Sequence, residues 1–217
     1  MTARPIICFD LGGVVIRHCR SWQEGCVAAG VAFDPDSSPD HPRSAAARND
    51  LVHRLTTGAL DADRFVGAIT ALTQGAATEA DVRRIHERWI TGEHDGVAAL
   101  IDELNLAGIR TSCLSNTDAV HWAWMERNSP AFRSIRIRHA SHLLGMAKPD
   151  PRIFARFAEL VGAQPKDIVL FDDLQPNVDA AQAAGWSAYR IDHMGCTATQ
   201  LRRIMSRIGL PIRQSAN

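Results

Sequence analysis

What the sequence lacks narrows its class first. It has no net charge, with 24 Lys and Arg against 24 Asp and Glu, so it carries no broad basic field of the kind that binds nucleic acid or an anionic membrane surface. No apolar run approaches the roughly 20 residues that cross a bilayer. A secretory leader pattern is missing, and a core-like strand begins almost at once. The five cysteines, Cys8, Cys19, Cys26, Cys113 and Cys196, are odd in number and scattered, with no CxxC pair and no zinc-ligand spacing. A reduced, cytoplasmic compartment is therefore the expectation. Internal repeats and low-complexity tracts are also lacking. What is there is 217 residues, 46% hydrophobic and 22% charged, enough for one sizeable core or for a core plus a small second unit.

Short apolar segments alternate with helical patterns. The first, Ile6-Ile7-Cys8-Phe9, stops at Asp10 and meets Gly12 and Gly13. Similar segments lie at 109–116 (IRTSCLSN), 167–173 (DIVLFDD) and 186–192 (WSAYRID), with a weaker one at 134–140 (SIRIRHA). They predict strands at about 5–10, 109–114, 135–139, 167–172 and 186–190. Between them, Val97, Leu100, Ile101 and Leu104 recur at helical spacing before Gly108. Ile153, Phe154, Phe157 and Leu160 do so before Gly162, and Val178, Ala181 and Ala184 before Gly185. The fold class expected is α/β, a Rossmann-like parallel sheet with helices on both faces. In such sheets ligands bind beyond the carboxyl ends of the strands.

The stretch from 17 to 93 differs. It reads as amphipathic helices only, with no strand candidate, a helix N-cap at Thr78 and a polar, proline-rich connector at 34–42. This predicts a small all-helical cap at 17–93, inserted after the first strand of a core formed by 1–16 and 94–217. The tail at 211–217 is expected to fray.

Four sites follow strands. Asp10 is a carboxylate that can act as a nucleophile or cap the next turn. Gly12 and Gly13 let the backbone approach an anion, and free amides there can hold phosphoryl oxygens. Ser115 and Asn116 can donate to phosphate oxygens or cap the following helix. Lys148, in GMAKPDPRIF, has its backbone fixed by Pro149 and Pro151 and can neutralise a phosphate, unless it is a solvated surface lysine. Asp172 and Asp173 end an apolar strand, where two adjacent acids repel unless a cation is present. Mg²⁺, with its preference for oxygen ligands, suits them.

The order of these motifs, FDLGGVV, LSNT, GMAKPDPRIF and LFDDLQPNVDAAQAAG, resembles that of the haloacid dehalogenase superfamily, in the branch with a helical cap. The wording DLGG, LSNT and GMAKP is most similar to small sugar-phosphate phosphatases such as α-D-glucose-1-phosphate phosphatase. The resemblance implies a phosphatase acting on a small phosphorylated metabolite through an aspartyl-phosphate on Asp10, with Ser115 and Lys148 holding the transferred group. It implies Mg²⁺ on Asp10, the Gly12 carbonyl and Asp173, with Asp172 a direct ligand or one water removed. Most phosphatases of the superfamily carry a second aspartate two residues after the nucleophile, as acid and base; here that position is Gly12. Loss of such a group typically lowers rates roughly 10²–10⁴-fold, and Arg17, His18 and His53 are the nearby groups that can stand in. Three other readings share the fold: a metal-independent 2-haloacid dehalogenase, a mutase, which relies heavily on the absent aspartate, and a degenerate binding or regulatory protein. Trp22, Trp89, Trp122 and Trp124 can stack on a sugar or anchor a core. The stretch VHWAWMERN can form a dimer contact, so monomer and homodimer both remain open.

Overall fold

The structure is a computed structural model that describes residues 5–212. Its elements run β1 (Ile6–Phe9), β2 (Ile16–His18), α1 (Trp22–Ala29), α2 (Pro42–Thr56), α3 (Ala62–Leu72), α4 (Glu79–Glu87), β3 (Ile90–Glu93), α5 (Val97–Leu106) and β4 (Arg110–Ser115). There follow α6 (Ala119–Asn128), α7 (Pro130–Ser134), β5 (Ile137–Ala140), α8 (Ser141–Leu144), α9 (Pro151–Val161), β6 (Ile168–Asp172), α10 (Gln175–Ala183), β7 (Ser187–Arg190) and α11 (Thr197–Arg207). Five strands form one sheet in the order β5-β4-β1-β6-β7, and every pairing in it is parallel. The five expected strands are all present, and the α/β class holds.

The first strand lies at the centre, and its four residues are fully buried. Their alternation decides the layering. Ile7 and Phe9 project to one face, where α5 and α11 supply Leu100, Leu104, Leu201 and Met205. Ile6 and Cys8 project to the other, against Phe154 and Phe157 of α9 and Val178 and Ala181 of α10. A strand buried on both sides must be apolar throughout, which is why its sequence shows no alternation. Helix ends follow the local signals. Thr78 and Asp81 form a capping box at α4, and Gly162 closes α9 at φ 61°, its N–H reaching the carbonyls of Ala158 and Glu159. On α9, Leu160 departs from its expected place. It is 42% exposed, while Ala158 and Val161 turn inward instead.

The interval expected to be purely helical is not. Its two ends pair as an antiparallel ribbon, with Ile16 opposite Glu93, Arg17 opposite Gly92 and His18 opposite Ile90. These strands have three and four residues, too few to display a period, and each finds its partner only across the whole intervening block. Helix α4 ends at Glu87, so Ile90 belongs to the ribbon and not to the helix. Between the two strands, α1 to α4 share a small core around Leu55, Phe65, Val66, Ile69 and Val82. All five cysteines are free, four buried and Cys196 exposed. Among the described residues no helix is long and apolar enough to cross a membrane. Residues 213–217 of the tail lie outside the described residues.

Phe157 packs between Trp186, 5.3 Å away, and His139, 5.2 Å away. Phe157→Ala should lower stability by about 3–5 kcal/mol, whereas Leu160→Ala, three residues on but exposed, should stay within about 0.5 kcal/mol. Urea unfolding followed by far-UV circular dichroism measures both.

Candidate active site

Adjacent parallel strands end at one level, so β1, β4 and β6 deliver Asp10, Ser115 and Asp172 to a common edge. Lys148 comes from the segment between α8 and α9. Its side chain is fully buried, with Nζ 2.6 Å from Asp172 Oδ2 and 3.2 Å from Asp10 Oδ1. Asn116 fixes its backbone. The Asn116 amide donates to the Lys148 carbonyl at 2.7 Å and accepts from the Lys148 N–H at 2.9 Å. The following peptide, to Pro149, is cis. Asp10 Oδ1 also accepts from the Leu11 N–H at 2.7 Å. Asp10, Gly12, Ser115, Asn116, Lys148 and Asp173 all line one cavity of about 870 Å³, whose lining also includes Trp22, Arg48, Asn49, His53 and Thr56.

Three residues serve the geometry differently from what their types suggested. The side chain of Asn116 is taken up by Lys148, so it acts as a clamp on the lysine. Gly13 presents no free amide, because its N–H donates to the Ile16 carbonyl at 2.8 Å. It has φ +73°, and a Cβ there would lie 2.3 Å from Arg20 Nη2 and 2.5 Å from Asp173 Oδ2; glycine is needed for close packing. Asp172 is fully buried and both its oxygens are occupied. Oδ1 accepts from the Leu174 N–H and from Asn177, and Oδ2 from Lys148 and Asn177. Asp172 therefore anchors the lysine.

Asp173 Oδ2 accepts from Arg20 Nη1 at 2.7 Å. Oxygens of Asp10, Asp172 and Asp173 converge to within 4.8 Å of one another. Burial, reinforced by Asp172 and Asp173 and only partly opposed by Lys148, pushes the Asp10 carboxyl up to about 7. Lys148 is moved the other way from its own burial. Desolvation works against its charge, but Asp10 and Asp172 outweigh it and raise its pKa. Three carboxylates against Lys148 and Arg20 leave one formal negative charge among largely buried side chains. The donor set is all oxygen, which fits a hard divalent cation such as Mg²⁺.

Of the three stand-ins for the missing second acid, Arg17 points out to Asp95, 3.5 Å away, and His53, on α2, is a lining residue of the cavity. His18 is the one beside the nucleophile loop. A Cβ built on Gly12 would lie 2.8 Å from His18 Nε2, so the imidazole fills the space that a side chain at position 12 would enter. Its Nδ1 meets the Cys19 carbonyl at 2.8 Å and so carries the proton, which leaves Nε2 as an acceptor facing the site. Burial first, and the Arg20 charge second, push its pKa down to about 4.

Sequence reasoning missed Arg20 and Asn177. Arg20 meets its partner 153 residues away, and no local pattern marks such a pair. Asn177 lies five residues after Asp172 at the start of α10, where an asparagine reads as an ordinary helix-start residue.

A family model described as hydrolase, haloacid dehalogenase-like hydrolase, matches residues 5–185. Phosphatase MT3486 of Mycobacterium tuberculosis is 30% identical over 129 residues, 59% of each chain. Acyl-CoA dehydrogenase family member 10 of Mus musculus is 26% identical over 124 residues, 57% of this chain and 11% of that one. The match thus spans less than two thirds of the length of either relative. Among solved structures, a haloacid dehalogenase family enzyme of Bacteroides thetaiotaomicron, in complex with magnesium and inorganic phosphate, aligns with a TM-score of 0.72 at 21% identity, over 89% of this chain and 96% of that one. The L-2-haloacid dehalogenase of Xanthobacter autotrophicus, with chloropropionic acid covalently bound, aligns with a TM-score of 0.59 at 15% identity, over 95% and 85%. At these identities the likeness to the solved structures is one of fold.

The clamp on Lys148 is open to direct test. Asn116→Ala removes both hydrogen bonds to the Lys148 backbone and should cost about 1–3 kcal/mol of stability. Asn128→Ala, which removes a single exposed bond to the Trp124 carbonyl, should change it by no more than about 0.5 kcal/mol. Chemical denaturation of the two variants side by side checks this.

Proposed function

The chain belongs to the haloacid dehalogenase-like hydrolases, and from that premise we propose that it is a Mg²⁺-dependent phosphatase of small phosphorylated metabolites. The observation that carries this reading is the convergence of Asp10, Asp172 and Asp173 within 4.8 Å around a buried lysine. A dehalogenase, which displaces a halide from carbon, has no use for such an excess of negative charge. Transfer of a phosphoryl dianion next to carboxylates requires a cation to offset the repulsion. Asp10, the Gly12 carbonyl and Asp173 would hold Mg²⁺, with Asp172 one step removed behind Lys148. The ion would supply charge neutralisation for the transferred group.

The residues divide the work as follows. One Asp10 oxygen attacks phosphorus, the ester P–O bond breaks, and an aspartyl-phosphate forms. Ser115 donates its hydroxyl to a phosphoryl oxygen, and Lys148 offsets the charge on both nucleophile and phosphate. A water then attacks phosphorus, releasing phosphate and restoring Asp10. His18 Nε2, unprotonated near neutrality, accepts the proton of that water. It has no proton to give to the departing oxygen, so the leaving group exits as an alkoxide or phenoxide and takes its proton from solvent. Over this site α1 to α4 act as a cap. Trp22, Arg48, Asn49, His53 and Thr56 line its inner wall, a mix of hydrogen-bonding groups and an indole that suits a sugar phosphate.

Turnover of p-nitrophenyl phosphate with and without Mg²⁺, beside chloride release from 2-chloropropionate, tests the reading. Phosphate release that stops with EDTA is expected. Chloride release without phosphatase activity would overturn it. Asp10→Asn should fall to the buffer rate, and Asp173→Ala should lose Mg²⁺ dependence together with activity. A panel of phosphorylated metabolites tests the sugar-phosphate assignment.

A leaving-group series tests the role of His18. Aryl esters should react disproportionately faster than alkyl esters, and a flat dependence on leaving-group pKa would show that some residue supplies the proton efficiently. Gly12→Asp alone should not rescue alkyl esters, because its side chain meets the imidazole. Gly12→Asp combined with His18→Gly opens that space and should raise alkyl-ester turnover by about 10-fold or more, within the range general acids provide.

A further inference from the structure

A second group of ligating side chains lies on the same cavity, apart from the carboxylate cluster. His86, from α4 of the helical block, meets Asp118 and His121, at the N-cap and first turn of α6. His121 Nδ1 is 2.8 Å from Asp118 Oδ2, and His86 Nε2 is 3.4 Å from Asp118 Oδ1. The two imidazole centroids are 4.4 Å apart. His86 is only 8% exposed, and its Nε2, with nothing nearer than the long 3.4 Å contact to Asp118, makes no well-formed hydrogen bond.

The tautomers follow from the acceptors. His121 Nε2 is 2.8 Å from the His86 carbonyl, which can only accept, so Nε2 bears a hydrogen. The Nδ1 lone pair then faces a carboxylate oxygen, and the two repel unless something positive lies between them. A proton on Nδ1 satisfies that pair but leaves His86 Nε2 with only its long contact to Asp118. A metal ion satisfies all three. We propose that His86 Nε2, His121 Nδ1 and the Asp118 carboxylate bind a transition-metal ion of the Zn²⁺ class, separate from the Asp10–Asp172–Asp173 cluster.

Three observations favour this ion over Mg²⁺. Two of the three donors are imidazole nitrogens, which suit zinc and its neighbours and not a hard cation. The candidate ligand atoms all lie within 4.8 Å of one another, and opening the 2.8 Å His121–Asp118 contact to the roughly 3.3 Å ligand–ligand edge of a tetrahedron with ~2.0 Å bonds is a small side-chain movement. The outer shell is also built. The His121 Nε2–H is held by the His86 carbonyl, and Asp118 Oδ1 accepts the N–H groups of Val120 and His121, the kind of support that orients metal ligands. All three residues line the cavity, so the fourth coordination position opens toward whatever occupies it. The ion would tie the helical block to α6, the helix that follows β4, because its ligands come from α4 and α6.

The test reads metal and not turnover, so it stands apart from the phosphatase reading. Protein stripped with a chelator is titrated with Co²⁺ as a spectroscopic probe and with Zn²⁺ by calorimetry, in excess Mg²⁺. One equivalent is expected, with the visible d–d bands of four-coordinate Co²⁺, and Asp173→Ala should retain it. His86→Ala and His121→Gln should each bind more than about 100-fold more weakly, beyond the ~10–100-fold seen for outer-shell partners. Zn²⁺ should raise the melting temperature of wild type and Asp173→Ala but not of His86→Ala, which also identifies a variant that merely misfolds. Zn²⁺ affinity unchanged in His86→Ala would overturn the proposal. So would nitrogen chemical shifts showing His121 doubly protonated with Zn²⁺ present.

Discussion

Everything at the carboxyl edge of the sheet depends on one buried ammonium. Lys148 carries its charge with no exposure to water, which is tolerable only because Asp10 and Asp172 lie within hydrogen-bonding reach. The dependence runs both ways, since neither carboxylate could remain charged there without the lysine. Three segments distant in sequence are thereby locked together: the end of β1, the end of β6 and the approach to α9. Asn116, at the end of β4, adds the fourth by gripping the lysine backbone. The parallel sheet brings these ends to one level, and the ion pairs fix their side chains.

The parts of this arrangement that were legible in the sequence are those in which chemistry and position coincide locally. A strand buried on both faces has to be apolar, so β1 and β6 announced themselves, and the acids ending them stood out against that background. Helices α5 and α9 were legible because apolar residues recur at their period and glycine follows. What could not be read depends on partners far along the chain. The ribbon of β2 and β3 exists only because its two short halves meet. Arg20 is unremarkable until Asp173 lies beside it. Residue type was informative and the partners of each side chain were not: Asn116 grips the Lys148 backbone, Gly13 makes room for Arg20 and Asp173, and Asp172 anchors the lysine.

Gly12 and His18 illustrate how a departure at one position is taken up at another. The missing side chain leaves no void, since an imidazole six residues on occupies its place. The ring is held by the Cys19 carbonyl and kept neutral by burial and by Arg20. A carboxylic acid can both give and take a proton, whereas this imidazole, near neutrality, can only take one. Under the proposed mechanism, the exchange would alter the direction in which protons flow and not merely the identity of the group.

The ribbon also bears on how such a chain can fold. Strands β1 and β4 are immediate neighbours in the sheet, yet the whole helical block separates them in sequence. Bringing the ends of a long flexible loop together carries an entropic penalty that grows with the logarithm of its length. Once Ile16 and Glu93 pair, that loop is already closed, and the sheet experiences the block as a short hairpin. Four helices with a small core of their own can then grow, shrink or be exchanged in evolution with little effect on assembly of the sheet, so long as the two short strands still find each other.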